Sequence, residues 1–207
     1  MIDVLSSHGD AAINILCAVL GAVLGVSGSY WLERRRQRQI ARAQIVIHLR
    51  RWLKRTLYQM YDIQTWVGSD GAGGALYSKL PNFRFEKSLD QVALLEYPMA
   101  MKLFKLVHKK DDANVEAKNA IEDEDGDVAV DVFRYRSAQV WLRAMRLYNR
   151  MSDQLGWLDR PFTDGQKTMM EEEVERFQKL QLKRAKSQRK ILAFFAGAAP
   201  KQPKTES

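Results

Sequence analysis

The sequence predicts an all-α protein in which an N-terminal single transmembrane helix is continuous with a cytoplasmic antiparallel helical bundle. Three observations predict this class: residues 11–32 carry no formal charge, arginines follow them at once, and apolar residues then recur every three or four positions in segments separated by Gly or Pro. With 46% hydrophobic and 28% charged residues, the 207-residue chain is neither uniformly membrane-embedded nor disordered, which fits one span plus one folded domain.

The uncharged run is long enough to cross a bilayer. Residues 11–32 extend roughly 33 Å as a helix, about the thickness of the hydrocarbon core. Tyr30 and Trp31 end the run, as aromatic side chains do at membrane interfaces. A buried core helix is an alternative, but it requires a domain wrapped around it, and only residues 1–10 precede the run. A cleaved signal peptide is another, but it needs a basic start, whereas residues 1–10 contain Asp3 and Asp10 and no Lys or Arg.

Positive charges set the predicted orientation. Arginines directly behind the span are expected to hold that end at the cytoplasmic leaflet and to bind anionic headgroups; they are Arg34, Arg35, Arg36, Arg38 and Arg42. Residues 1–10 are therefore predicted to be a short extracytoplasmic N-terminus, residues 11–32 the span, and residues 33–196 the cytoplasmic bundle. Residues 197–207, which contain Pro and Lys, are predicted to be a disordered tail.

The layout of the span and its flank resembles that of many small bacterial membrane proteins. The likeness consists of a Gly-rich span that ends in Ser-Tyr-Trp-Leu-Glu-Arg-Arg-Arg. It implies a bacterial inner membrane and points to no particular family, so it assigns no role to any residue.

Small residues line one face of the predicted span. Gly21, Gly25 and Ser29 are four residues apart, and Cys17 extends the same line. Such a face lets two helices approach closely in lipid, where packing drives association, so we expect a homo-oligomer or contact with another membrane protein. The alternative is that Gly is simply frequent in membrane spans. Cys17 is the single cysteine, which excludes an intramolecular disulfide.

The cytoplasmic part divides into four further predicted helices. The first helix continues to about Trp66, where the Gly-rich stretch 68–74 ends it. Residues 77–87 form an irregular connection. The further helices are then predicted over 88–96, 98–121, 128–156 and 164–196, the last capped by Thr163. Two apolar stripes on the helix over 128–156 indicate that it is buried between neighbours.

The last predicted helix has a basic second half followed by apolar residues. In an up-and-down bundle it would return to the bilayer, since its length matches that of the first helix below the span. Basic and aromatic side chains would then form a peripheral membrane contact; they are Lys186, Arg189, Lys190, Phe194 and Phe195. The alternative is that residues 191–195 pack against the first helix near Ile40 and Ile45.

Motifs for catalysis and for metal or cofactor binding are not found in the sequence. Its three histidines do not lie in metal-ligand spacing, and the Gly-rich stretch lacks the Gly-Lys-Ser/Thr ending of a phosphate-binding loop. Asp123, Asp125 and Asp127 alternate as in a calcium loop, but Val128 and Arg134 replace the required Gly and Glu. We therefore expect no catalytic residue, metal or cofactor, and no enzyme activity.

The sequence favours a non-catalytic membrane-anchored interaction or scaffold protein that self-associates and presents its cytoplasmic helical domain to a partner. A net charge of +8 favours anionic partners such as lipid headgroups. The first alternative is an oligomeric effector that perturbs the membrane, such as a toxin or defence component. The second is a membrane-tethered nucleic-acid-binding protein, which is disfavoured because no helix-turn-helix or RNA-binding motif appears.

Overall fold

The computed structural model describes residues 2–71, 73–74, 79–87, 89–123, 126–157 and 160–197, and every regular element in these ranges is helical. The elements are α1 Ile2–Gly68, a 3-10 turn Arg84–Lys87, α2 Leu89–Ala93, α3 Tyr97–Asp123, α4 Gly126–Gln154 and α5 Asp164–Gly197. The predicted all-α class, with a long apolar N-terminal helix that continues into a bundle, is confirmed.

α1 is one uninterrupted helix of 67 residues, which corresponds to roughly 100 Å. Its side chains become buried from Ala41 onward, where the other helices pack against it. Apolar residues of this part recur at spacings of three, four or seven, which predicts one packed face, and most of them are buried: Val46, Leu49, Leu53, Leu57 and Met60. Val67 is 43% exposed instead, because it lies in the last turn at the far end of the bundle.

Glycine ends α1, as predicted. The Gly71 amide donates to the carbonyl oxygen of Trp66 at 2.9 Å, and Gly71 has a positive φ that suits a residue without Cβ. Gly74 also has a positive φ, and a Cβ there would collide with the carbonyl oxygen of Asp62. The chain can therefore fold back closely on the last turns of α1 only with glycine at this position.

α4 is the central helix and packs against α1, α3 and α5. The Trp141 side chain is fully buried, its Nε1 donates to the Leu53 carbonyl oxygen at 3.0 Å, and its ring meets Phe162 edge to face. This position explains why α4 needs two apolar stripes, and it confirms the prediction that this helix lies between neighbours.

α1 and α4 run antiparallel. Val130 near the start of α4 shares a cleft with Trp66 at the far end of α1. Trp141 in the middle of α4 is bonded to Leu53. Gln154 at the end of α4 lines a cleft with arginines that follow the span. The end of α4 therefore lies near the predicted membrane.

The connection between α1 and α3 passes back along α1 towards the span. Trp52 Nε1 donates to the Pro81 carbonyl oxygen at 2.6 Å, and the Trp52 ring stacks on Phe83 with centroids 4.4 Å apart. At the end of the connection, Glu96 Oε1 lies 2.6 Å from Arg42 Nη2. α3 thus begins near the span and runs parallel to α1 and antiparallel to α4.

α5 is capped as predicted. The Thr163 hydroxyl accepts a hydrogen bond from the Gln166 amide at 3.3 Å, and the Thr163 amide donates to Gln166 Oε1 at 3.1 Å. This reciprocal pair is a capping box, which satisfies the backbone N–H groups of Thr163 and Gln166 at the helix start.

The direction of α5 differs from the prediction. Phe162, just before α5, contacts Tyr148 late in α4, whereas Phe177 further along α5 stacks on Tyr135 early in α4, with centroids 4.3 Å apart. α5 is therefore antiparallel to α4 and parallel to α1, and it points away from the span. The expectation that the last helix returns to the bilayer is wrong, because the connection back along α1 adds one more reversal before α3.

Most predicted helix boundaries agree closely with α3, α4 and α5. The short helix predicted over 88–96 is limited to α2, because the Leu95 amide bonds to the Val92 carbonyl oxygen in a turn before α3. Residues 2–10 continue α1 as helix. In the predicted disordered tail 197–207, only the backbone of Gly197 belongs to the described residues; 198–207 lie outside them.

Candidate membrane anchor and basic collar

The predicted span is an exposed apolar helix. One candidate membrane-spanning helix occurs among the described residues, within Leu16–Gly68, and none of its most apolar 18-residue window is buried inside the protein. Leu24 is 70% exposed and Val26 73% exposed. An internal core helix would show the opposite, so the apolar segment packs against no other part of the described residues.

The small-residue face of this helix is open. A Cβ at Gly21 or Gly25 would meet no heavy atom within 4 Å beyond the neighbouring backbone of α1 itself. The Ser29 hydroxyl donates to the Gly25 carbonyl oxygen at 2.8 Å, so this polar group is satisfied within the helix. Cys17 on the same line is also exposed. The face therefore offers close backbone approach to another helix without an unsatisfied hydroxyl.

Immediately after the span, α1, the residue before α3 and the end of α4 enclose a cleft of about 480 Å³, which we call the basic collar. It is lined by Trp31, Arg34, Arg35, Arg38, Gln39, Arg42, Glu96 and Gln154. The guanidinium of Arg35 lies 5.5 Å from the centroid of the Trp31 ring, a cation–π distance. Arg42 pairs with Glu96, and this ion pair fixes the start of α3 against α1.

The collar has an excess of positive charge at the edge of the apolar segment. Four of its arginines face one carboxylate, that of Glu96. Arginine binds phosphate with two parallel N–H donors, so this arrangement suits anionic headgroups. The structure thus brings together Arg34, Arg35, Arg38 and Arg42 of the predicted set. Arg36 is exposed and does not line the cleft.

His48 follows the collar on α1. Burial lowers the pKa of the His48 imidazole, and the nearby charges of Arg51 and Arg84 lower it further. The ring is therefore mainly neutral near pH 7 and adds no charge to the basic surface.

The predicted peripheral contact lies on α5, at the opposite end of the bundle from the collar. Lys186 and Arg189 are exposed, whereas the side chains of Lys190, Phe194 and Phe195 lie outside the described residues. Ile191 and Leu192 are 55% and 67% exposed, so these two do not pack on α1 as the alternative required. The membrane contact stays a prediction, without the returning helix from which it was argued.

Two residues of the collar were not predictable from the sequence: Glu96, just before α3, and Gln154, at the end of α4. No local signal in the sequence pairs them with arginines more than fifty residues away. Among the described residues, no group of three or more His, Cys, Asp or Glu side chains is placed to hold a metal ion.

Comparisons with known proteins add no likeness: no protein-family model, curated protein or solved structure matches this chain.

Proposed function

We propose that this chain is a non-catalytic, single-pass membrane scaffold that self-associates through its span and presents a cytoplasmic helical bundle to a partner. The observation that carries the proposal is the character of α1. Its side chains are exposed and apolar from Leu16 to Leu32, and they enter a packed core from Ala41 onward. A single continuous helix therefore serves both as the anchor and as the first helix of the bundle.

Exposure of the apolar segment to water is costly. Its large aliphatic side chains are Leu16, Val19, Leu20, Val23, Leu24, Val26 and Leu32, all more than half exposed. Moving each from water to an apolar medium is worth about 1.5–3 kcal/mol. A bilayer supplies that medium, and the basic collar then lies at the phosphate level on the cytoplasmic side.

The span tolerates arginine poorly if it lies in lipid. We expect Val19→Arg with Val23→Arg to move the protein out of carbonate-washed membranes, because each arginine near the centre of a span costs about 2.5–3.5 kcal/mol. The matched control is Tyr58→Arg with Val115→Arg, which adds the same charge at exposed positions of the bundle. Sedimentation and immunoblotting measure the result; wild-type protein released by carbonate would contradict the anchor.

Self-association is expected to depend on the small-residue face. Oxidative crosslinking through the native Cys17 in membranes should give a dimer. Gly25→Ile should separate the two helices and reduce the dimer yield at least about fivefold, which corresponds to a loss of about 1 kcal/mol in association free energy. Because a Cβ at Gly25 would meet no other part of the described chain within 4 Å, we expect the variant to leave the fold of the monomer intact. Val23→Phe adds bulk on the opposite face as the control; equal loss in both variants would remove this part of the proposal.

The rival membrane-perturbing effector predicts leakage. A scaffold reconstituted in vesicles should retain an enclosed dye, whereas an effector should release it in proportion to its concentration. Rapid leakage that Gly25→Ile abolishes would favour the effector.

A further inference from the structure

A cationic groove lies between α3 and α4, outside the collar. It has a volume of about 380 Å³ and is lined by Lys102, Lys105, Leu106, Arg143, Arg146, Leu147 and Arg150. The two leucines are buried and form an apolar floor, and the five cations are exposed along the rim. We call this site the α3/α4 groove.

Within the residues that the structure describes, no carboxylate lines the α3/α4 groove. None of its five cations takes part in an ion pair within the described part of the chain. The neighbouring stretch of α3 and α4, by contrast, contains ion pairs.

Near Lys109 of α3 and Arg136 of α4, the positive charges are paired with carboxylates. Lys109 Nζ lies 3.0 Å from Asp112 Oδ2, and Arg136 pairs with Glu116. The hydrogen bond from Lys109 also holds the pKa of the Asp112 carboxyl below its usual value. The described part of the chain thus pairs the charges of one half of this interface and leaves the five cations of the other half without an ion pair, which favours a positive potential over an apolar floor.

We propose that the α3/α4 groove binds an acidic, amphipathic segment of a partner protein, with carboxylates on the rim and apolar side chains on the floor. This inference rests on the proposed scaffold function and names the docking surface and the chemistry of the partner.

The shape of the groove favours a peptide over a compact anion. Arg143, Arg146 and Arg150 follow one face of α4 over two turns, about 10 Å along the axis. A phosphate group needs converging donors at one point, whereas these cations are spread along a line and none is buried. A polyphosphate also has no apolar surface to cover Leu106 and Leu147.

The α3/α4 groove lies too far from the anchoring bilayer to bind that bilayer's headgroups. Trp141 lies beside Leu53, so Arg143 is about 20 residues below Leu32, or roughly 30 Å along α1. Arg150 is two turns closer, at roughly 20 Å. The polar layer of a leaflet is only about 5–8 Å thick. The occupant therefore comes from the cytoplasm or from the cytoplasmic part of a neighbouring membrane protein.

The chain's own acidic residues at the junction of α3 and α4 do not fit this site. Glu122 near the end of α3 and Asp127 near the start of α4 lie at the far end of the bundle, with about 17 residues of α3, roughly 25 Å, between Glu122 and Lys105. A second copy anchored in the same bilayer would hold these residues at the same depth, well below the groove. A separate partner is therefore the occupant that the geometry favours.

The test measures peptide binding to the full chain in phosphatidylcholine nanodiscs. The probe is a fluorescent peptide of about 14 residues, roughly 21 Å as a helix, with glutamates and leucines on opposite faces. The groove variant is Lys105→Gln with Arg146→Gln and Arg150→Gln. The control variant is Lys183→Gln with Arg184→Gln and Lys186→Gln, which removes the same charge from the exposed part of α5.

We expect wild-type protein to bind the acidic peptide and to ignore the same peptide with glutamine in place of glutamate. The groove variant should lose at least about tenfold in affinity and the control less than about threefold, since each exposed ion pair contributes modestly. All substituted side chains are exposed, so the fold is retained; Arg150→Glu alone should reduce binding in the same direction.

Three results would overturn the proposal. One is equal loss of affinity in the groove and control variants. Another is groove-dependent binding of inorganic triphosphate or a short DNA duplex in place of the peptide. The third is a dimer of the full chain that the groove variant dissociates without peptide, which would make a second copy the occupant. Failed anchoring would appear earlier, as failure to enter nanodiscs, so it is distinguishable from failed docking.

Discussion

Trp141→Ala is expected to lower the free energy of unfolding by about 3–5 kcal/mol, because the surroundings of a large buried aromatic collapse only partly into the cavity. Trp141 is fully buried in α4, and its ring contacts Phe162 while its Nε1 bonds to the Leu53 carbonyl oxygen. Its loss therefore removes packing at the junction of α1, α4 and the chain before α5. The buried Leu53 carbonyl oxygen also loses this hydrogen bond.

The measurement is urea unfolding of full-length protein in micelles, followed by far-ultraviolet circular dichroism. Tyr58→Ala is the matched control, since Tyr58 is an aromatic residue of α1 that is 66% exposed. It should change the unfolding free energy by less than about 0.5 kcal/mol. A similar effect for both variants would mean that Trp141 does not hold the bundle together.

Arg134→Met is expected to destabilise the bundle by about 3–5 kcal/mol, because it leaves the Glu173 carboxylate buried without its closest partner. Both residues of this α4–α5 ion pair are less than a tenth exposed. Arg176 lies 3.3 Å from the other oxygen of Glu173, but it is also 2.7 Å from Asp131 and is itself more exposed. It compensates only partly for the missing guanidinium.

A double variant distinguishes a buried charge from lost packing. Arg134→Met with Glu173→Leu removes both charges and should recover most of the stability, since replacement of a whole buried pair by apolar groups is often neutral. Unfolding by urea of wild type, both single variants and the double variant gives the coupling between the two positions. Additive losses in the double variant would show that the charges do not interact strongly.

The elements of this fold follow from local chemistry that the sequence displays. Glycines after Trp66 end α1, Thr163 and Gln166 form the cap of α5, and the double apolar stripe marks α4 as central. Each of these signals depends on residues only a few positions apart, so the helix boundaries were predictable from the sequence. The exposed arginines behind the span were predictable for the same reason.

The direction of the last helix was not predictable from such signals. It depends on the connection before α3, which packs along α1 through Trp52, Pro81 and Phe83. These contacts join residues about thirty positions apart, and nothing local requires the connection to pass back towards the span. Helix lengths alone suggested alternate up and down directions, and one additional crossing of the bundle reversed α5.

The α3/α4 groove was missed for a related reason. Arg143, Arg146 and Arg150 recur at helical spacing on α4, which indicates a shared face, and Lys102 and Lys105 do the same on α3. The spacing alone does not show that the two faces meet. Among these cations only Arg150 has an acidic residue three or four positions away, Asp153, and Asp153 pairs with Arg160 instead. This scarcity of nearby acidic residues was the remaining signal, and it gains meaning only once the helices are known to be neighbours.

Because α1 and α5 run in the same direction, the molecule is elongated along the axis of α1. α1 extends roughly 54 Å below the span, and α5 continues past the start of α4 by roughly 20 Å more. Every described side chain from Gln181 to Arg189 is exposed there, and four of them are Lys or Arg. In the proposed anchored state, a partner bound at this end of α5 would lie about 75 Å from the lipid surface, well beyond the distance over which headgroup charges act at physiological salt.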